Sequence, residues 1–387
     1  MLKSLDQKLA AIHADPTGCR EFILADAKDA DMAFGMVAPG IARTEQGERF
    51  RTLAEYREQI RAVVRQGIVD IMLMSASTSE QLTQQERLFD GSSVTPAIRA
   101  NDATDVHAMR GSVIPSQPAR PFRTASLDHV QCGHIDCEAA ERATGVDLGL
   151  YSVTFNNNCE FDLATLAAYR LFREEAERKR FRHFLEVFNP NLPDAVLPAM
   201  LPKFVNDVIA RTLAGVTKTQ RPLFLKMAYN GPAAMEELVA YDPQLVVGVL
   251  GGSAGTTLDA FTLLHEARKH GARAALFGRK INQAENQLAF IEFLRLIADG
   301  VIEPAEAVRA YHAVLERLRI PPNRPLSEDL TLQTGVMSYA GSGQTVSLPA
   351  ASSSAGVSIP QPVPLAFSGM TSAQRLAYHR ARLKLGE

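Results

Sequence analysis

Eight short apolar runs, separated by helical patterns or polar loops, set the rhythm of this chain. In order they are FILAD, IVDIMLM, VTPAI, DLGLYSVTF, HFLEVF, PLFLKM, LVVGVL and AALFG. Short apolar runs bounded by turn residues read as strands buried on both faces, the habit of parallel sheets. Between and after them lie amphipathic stretches. Residues 53–66 put Leu53, Tyr56, Ile60, Val63 and Val64 on one face, and 80–88, 163–179, 202–213, 233–241, 257–270, 284–298 and 303–318 also read as helices. Strand–helix units in series, joined by right-handed crossovers, predict an α/β fold; eight of them predict a closed (β/α)8 TIM barrel over residues 1–320. A leading helix after Ser4, stopped at Pro16-Thr17-Gly18, is expected to plug the amino-terminal end of that barrel.

Some stretches break the rhythm. Residues 36–50 read as a loop long enough to reach over a site, and 103–126, with three prolines and the arginines Arg110, Arg120 and Arg123, as a lid or interface inserted after the third strand. Residues 125–131 read as a continuation of the sheet. Past Pro321 the chain becomes rich in Pro, Ser, Gly and Ala, so 321–387 is expected to form an extended arm ending in a short basic helix over 371–385, an appendage suited to a homo-oligomer contact.

Candidate chemistry falls at strand ends, where a (β/α)8 barrel carries its active site. Lys226 closes the PLFLKM run, and apolar neighbours favour the neutral amine that attacks a carbonyl. Glu186 lies within FLEVF, an apolar setting suited to proton transfer or to pairing with Lys226 on the next strand. Asp26 and Lys28 are two apart at the end of the first strand, so they point the same way. Gly251, Gly252 and Ser253 follow the seventh run, and Gly278 and Arg279 the eighth. Glycine lets backbone amides approach an anion, and arginine adds charge, so these two loops are candidate phosphate binders. The spacing Cys132-x-His134-x-x-Cys137 invites a metal reading. Only three ligands are local and no second cluster completes the set, so the cysteines are read as packed thiols at the start of a helix over 137–144, and no metal is expected.

Composition narrows the partners. A net charge of −2 without a basic tract gives no sign of nucleic-acid binding, and no apolar run approaches a membrane span. Four unevenly spaced cysteines and the lack of a signal-peptide core lead to the expectation of a cytoplasmic protein.

Over roughly residues 20–320 the pattern resembles the class I, Schiff-base-forming aldolases of the (β/α)8 fold, among them tagatose-bisphosphate, archaeal-type fructose-bisphosphate and deoxyribose-phosphate aldolases. PLFLKM resembles their Schiff-base strand, which implies Lys226 as nucleophile. FLEVFNPN resembles the fifth-strand segment of the tagatose-bisphosphate branch, with Glu186 at its proton-transfer position, and ADAK resembles that branch's first strand, with Asp26 and Lys28 at the polar positions. GVLGGSAG and AALFGRKI resemble the phosphate loops. The tagatose-bisphosphate branch has a lysine on strand four; here VDLGLYSVTF offers only Tyr151 and Thr154, and Tyr151 is taken as a further proton-transfer candidate. The aspartate–histidine pair of many archaeal-type enzymes is absent after strand one. The resemblance implies a cofactor-free aldolase acting on a phosphorylated ketose or related hydroxy-ketone. Alternatives are a phosphate-binding isomerase or decarboxylase in which Lys226 is only a charge, and a non-catalytic sugar-phosphate-binding barrel.

Overall fold

The computed structural model describes residues 2–44, 47–252 and 255–334. Its centre is a closed barrel of eight parallel strands: β1 Ile23–Lys28, β2 Ile71–Met74, β3 Thr95–Arg99, β4 Leu148–Thr154, β5 Arg182–Phe188, β6 Leu225–Met227, β7 Gly248–Gly251 and β8 Ala274–Phe277. Each strand pairs with its neighbours in the chain, and β8 closes on β1 with Ile23 opposite Ala274. The (β/α)8 expectation is therefore met.

Alternation along each strand sorts the side chains into two cores. One set faces the axis: Ile23, Ala25 and Ala27 on β1, Ile71 and Leu73 on β2, Ala97 on β3, Leu148 and Leu150 on β4, Phe184 on β5, with Phe224, Val246, Ala274 and Leu276 completing the ring. Leu5, Leu9 and Ile12 of the leading helix Ser4–Ala14 join this same cluster, so that helix does plug the barrel. The other set, including Leu24, Met72, Ile98, Tyr151, Leu185, Met227 and Phe277, packs outward against the helices. This division decides which polar residues can meet.

Several local expectations are revised. Residues 125–131 do not extend the sheet: Leu127–Cys132 is a helix, with Leu127, Val130 and Gln131 buried at three- and four-residue spacing. The 36–50 loop contains a hairpin pairing Ile41–Thr44 with Gly47–Phe50, and 103–126 is held by a small ladder between Asp102–Ala103 and Pro121–Phe122. Over 137–144 only Glu141–Thr144 is helical, as a tight single turn. The 80–88 stretch opens into a wide turn over Glu80–Gln85, and the expected 284–298 helix begins at Gln287, capped by the Asn286 side chain and preceded by a separate turn Arg279–Gln283.

The boundary expected at residue 320 falls inside a packed segment. Asp329 is buried and accepts from the Thr257 amide at 2.7 Å and faces His312 Nε2 at 2.9 Å. The Thr331 carbonyl accepts from Thr256 Oγ1 at 3.0 Å, and Thr334 donates to Asp259. Asp329 thus supplies an acceptor for one amide at the amino-terminal end of the helix Thr257–Lys269, and Thr331 and Thr334 tie the segment to its capping residues Thr256 and Asp259. The remainder of the expected arm, including the basic helix over 371–385, lies outside the described residues. Truncation after Ile320 is expected to lower barrel stability by about 1–2 kcal/mol, the scale of a lost helix cap; thermal melts of this chain and of one ending at Thr334 check this.

Candidate active site

At the carboxyl end of the barrel, three axis-facing positions one step above the apolar ring carry polar groups. Ser152 follows Leu150 by two residues, Glu186 follows Phe184, and Lys226 follows Phe224. Ser152, Glu186 and Lys226 stand side by side in the register of β4, β5 and β6. Lys226 Nζ is 2.5 Å from Glu186 Oε1, and Ser152 Oγ donates to Glu186 Oε2 at 2.6 Å. Lys226 and Glu186 are both buried, at 6% and 1% exposure. Beneath them the Phe184 and Phe224 rings stack with centroids 4.5 Å apart, an apolar floor under the ion pair.

Two further elements complete the cluster. Arg99, at the end of β3, approaches Glu186 Oε2 at 3.6 Å and donates to Ser152 Oγ at 3.1 Å and to Asp29 Oδ2 at 2.6 Å. Burial works against the Arg99 charge, but Asp29, Asp102 and Glu186 outweigh it and hold its pKa above the ordinary value. Burial also raises Asp102 to about 7, with Arg99 opposing. Asn101 locks the Ser152 backbone, accepting from its N–H at 2.6 Å and donating to its carbonyl at 2.8 Å. Just after β8, the half-buried Arg279 guanidinium lies 5.8 Å from the Phe34 ring. Burial lowers its pKa to about 10, and the nearby charge of Glu186 opposes that shift. The mouth thus combines one lysine, two arginines and several carboxylates in a setting where charges interact strongly.

The expected site residues divide. Lys226 and Glu186 meet, with Arg279 close enough to feel Glu186. Asp26 and Lys28 do not join them. Asp26 stands opposite Met72 and Phe277 in the outward register. Lys28 reaches Asn282 and, at 3.0 Å, Gln287, both on the outer layer. Tyr151 also faces outward, its ring 4.4 Å from that of Phe172 and 5.1 Å from that of Tyr169. The glycines have packing reasons of their own: a Cβ on Gly251 would enter the Phe277 ring, and one on Gly278 would come 2.5 Å from the Ala27 carbonyl. Gly252 is buried beside that loop, whereas Ser253 lies outside the described residues. The arginines of the 103–126 excursion are engaged elsewhere: Arg123 pairs with Glu175 at 2.6 Å, Arg120 packs on Phe161, and Arg110 meets Met36.

The reading by residue type missed Ser152, Arg99 and Asp29. The signal was the period of two: counting back from Glu186 through Phe184, or from Ser152 through Leu150 and Leu148, picks out the axis-facing set.

The fold has counterparts among solved structures. An archaeal fructose 1,6-bisphosphate aldolase is 16% identical with a TM-score of 0.53, this chain matching over 77% of its length and that chain over 100%. A structure described as a Schiff-base-forming fructose-1,6-bisphosphate aldolase is 17% identical with a TM-score of 0.54, over the same shares. A fructose-bisphosphate aldolase from Slackia heliotrinireducens is 14% identical with a TM-score of 0.55, covering 81% of this chain and 92% of that one. The chain resembles the class I, archaeal-type aldolases in fold. At such identity the likeness concerns the barrel alone. No protein-family model and no curated protein matches the sequence. Among the described residues, no helix is long and apolar enough to cross a membrane.

Proposed function

We propose that this protein is a carbon–carbon lyase of the Schiff-base type, acting on a phosphorylated ketose or a related anionic hydroxy-ketone. The observation that carries the reading is the buried Lys226–Glu186 pair at the carboxyl end of the barrel. In the proposed first step Glu186 Oε1 accepts a proton from the Lys226 ammonium, leaving a neutral amine to attack the substrate carbonyl. Ser152 and Arg99 hold the other carboxyl oxygen, so the group stays oriented while its proton comes and goes. Glu186 then returns that proton to the carbinolamine hydroxyl, which leaves as water, and an iminium forms on Lys226. The iminium takes up the electron pair released when the adjacent carbon–carbon bond breaks. The proton lost from the cleaved hydroxyl needs a second base.

Asp26 was expected in that role, but it faces away from Lys226. Asp29, the residue just after β1, joined to the cluster through Arg99, is the better candidate. The substrate anion would be attracted by Arg279 and by Gly251 at the end of β7 with Gly252 and Ser253 after it. The fold likeness to aldolases that act on fructose bisphosphate supports the same substrate class.

The test is a panel of ketose phosphates assayed for aldehyde release, with borohydride added to parallel samples. A substrate that turns over should leave a reduced adduct on the peptide that contains Lys226. Turnover without any adduct would favour the reading in which Lys226 is only a charge.

A further inference from the structure

The link from β3 to β4 carries chemistry that the lyase reading does not use. Its helix Leu127–Cys132 stops at Gly133 in the left-handed conformation, φ 90°. Asp136, left-handed at φ 58°, then turns the chain back. The two turns set Cys137 beside Cys132, with Cα atoms 5.9 Å apart and the sulfurs in bonding contact. The tight turn Glu141–Thr144 folds Glu141 to the same point, so that ligand atoms of Cys132, Cys137 and Glu141 all lie within 4.8 Å of one another. Sequence spacing supplied three donors; Glu141, four residues after Cys137, is a further donor on the same side of the turn.

His134 stands outside that group of three but beside its carboxylate. Its Nδ1 lies 2.8 Å from the Ile135 carbonyl, and its Nε2 lies 3.4 Å from the Glu141 carboxylate. A hydrogen bond from Nδ1 to a carbonyl fixes the ring orientation, and a metal would take Nε2 over from its contact with the Glu141 carboxylate. Between residues 132 and 145 only Cys137 is buried, so this excursion has almost no apolar core to hold its shape. A shared cation would supply the missing cross-link.

We propose that in the reduced chain Cys132, His134, Cys137 and Glu141 together bind one divalent cation of the zinc class. The site stands just ahead of the amino-terminal end of β4, at the end of the barrel opposite Lys226, and is independent of the lyase reading. Two thiolates, an imidazole and a carboxylate suit zinc rather than magnesium or calcium, which prefer all-oxygen sets. Binding involves no change of oxidation state: each thiol gives its proton to solvent as a sulfur–metal bond forms. The sulfur–sulfur bonded form must first take two electrons and two protons from a dithiol reductant, after which the metal displaces the two protons.

The experiment uses the full chain, reduced with a dithiol and titrated with Co²⁺ alone. The expected result is one cobalt per chain with the intense ligand-field bands of a tetrahedral site and sulfur-to-metal charge transfer, both discharged by Zn²⁺. Glu141→Gln and His134→Ala alter half-exposed side chains without touching the core. Each should weaken binding on the order of 10- to 100-fold, by analogy with outer-shell partners of metal sites. Cys159→Ser, at an exposed cysteine elsewhere, should change nothing. An octahedral, all-oxygen cobalt spectrum would overturn the proposal, as would charge transfer that survives Cys132→Ser/Cys137→Ser. So would a thiol titration in which, after reduction, only Cys19 and Cys159 react, because the pair would then be a permanently closed disulfide.

Discussion

Lys226→Met is expected to abolish turnover while leaving a folded barrel. Methionine nearly matches the volume of lysine and keeps contact with the Phe184–Phe224 floor, so packing is preserved. The carboxylate left behind retains Ser152 and Arg99 on Oε2, and only Oε1 loses its partner. That loss should cost about 1–3 kcal/mol of stability, the usual penalty for orphaning one side of a buried polar contact. The effect on rate should be far larger, about 10⁴- to 10⁶-fold, as when a covalent nucleophile is removed. Lys226→Arg distinguishes a nucleophile from a charge. A guanidinium stays protonated and cannot form an iminium, so the Schiff-base reading expects it to be as inactive as methionine. If Lys226 served only to hold an anion, arginine should retain a substantial fraction of the activity. Steady-state kinetics on both variants, with melting curves to establish folding, decides between them; an active Lys226→Arg enzyme would rule out covalent catalysis at this position.

The barrel was legible in the sequence because each parallel strand is buried on both faces and therefore reads as an uninterrupted apolar run. The same property hid part of the site. In β1, Ile23–Lys28, every residue is buried, as is Asp29 just after it, so hydrophobicity could not tell Asp26 and Lys28, which face the helices, from Asp29, which joins the mouth. On β4 the larger polar aromatic, Tyr151, drew the eye, but Ser152 beside it faces the axis and holds Glu186. Lys226 and Glu186 were readable as a pair because each sits in a strand of mixed polarity and the strands are consecutive in the chain. The glycines also answer constraints that exist only in three dimensions: Gly251 is required by the Phe277 ring and Gly278 by the Ala27 backbone. Glu141 was missed although it lies four residues after Cys137, a spacing that places both on one side of a helical turn.

The outward pair on β1 should govern stability and its pH dependence rather than chemistry. Asp26 and Lys28 are both fully buried, with Nζ 3.3 Å from Oδ2, and Lys28 also donates to Asn282 and Gln287. Removing one member leaves the other charge in a closed apolar layer, so Asp26→Asn or Lys28→Met alone is expected to destabilise by about 3–5 kcal/mol. Replacing both, with Asp26→Leu and Lys28→Met, should recover most of that loss, because apolar groups of similar size need no partner there. Burial raises Asp26 to about 6, with Lys28 opposing. A carboxyl whose folded pKa is raised binds its proton more tightly folded than unfolded. Its contribution is therefore full below the unfolded value of 3.8 and is lost as pH rises through about 6. Comparing melts of the wild type and Asp26→Asn across that window isolates the effect: the wild type should lose this increment as pH rises and the variant should not. Equal pH slopes in the two proteins would mean that Asp26 keeps the same charge folded and unfolded. A loss of turnover in Asp26→Asn at temperatures where it remains folded would instead return Asp26 to the catalytic machinery.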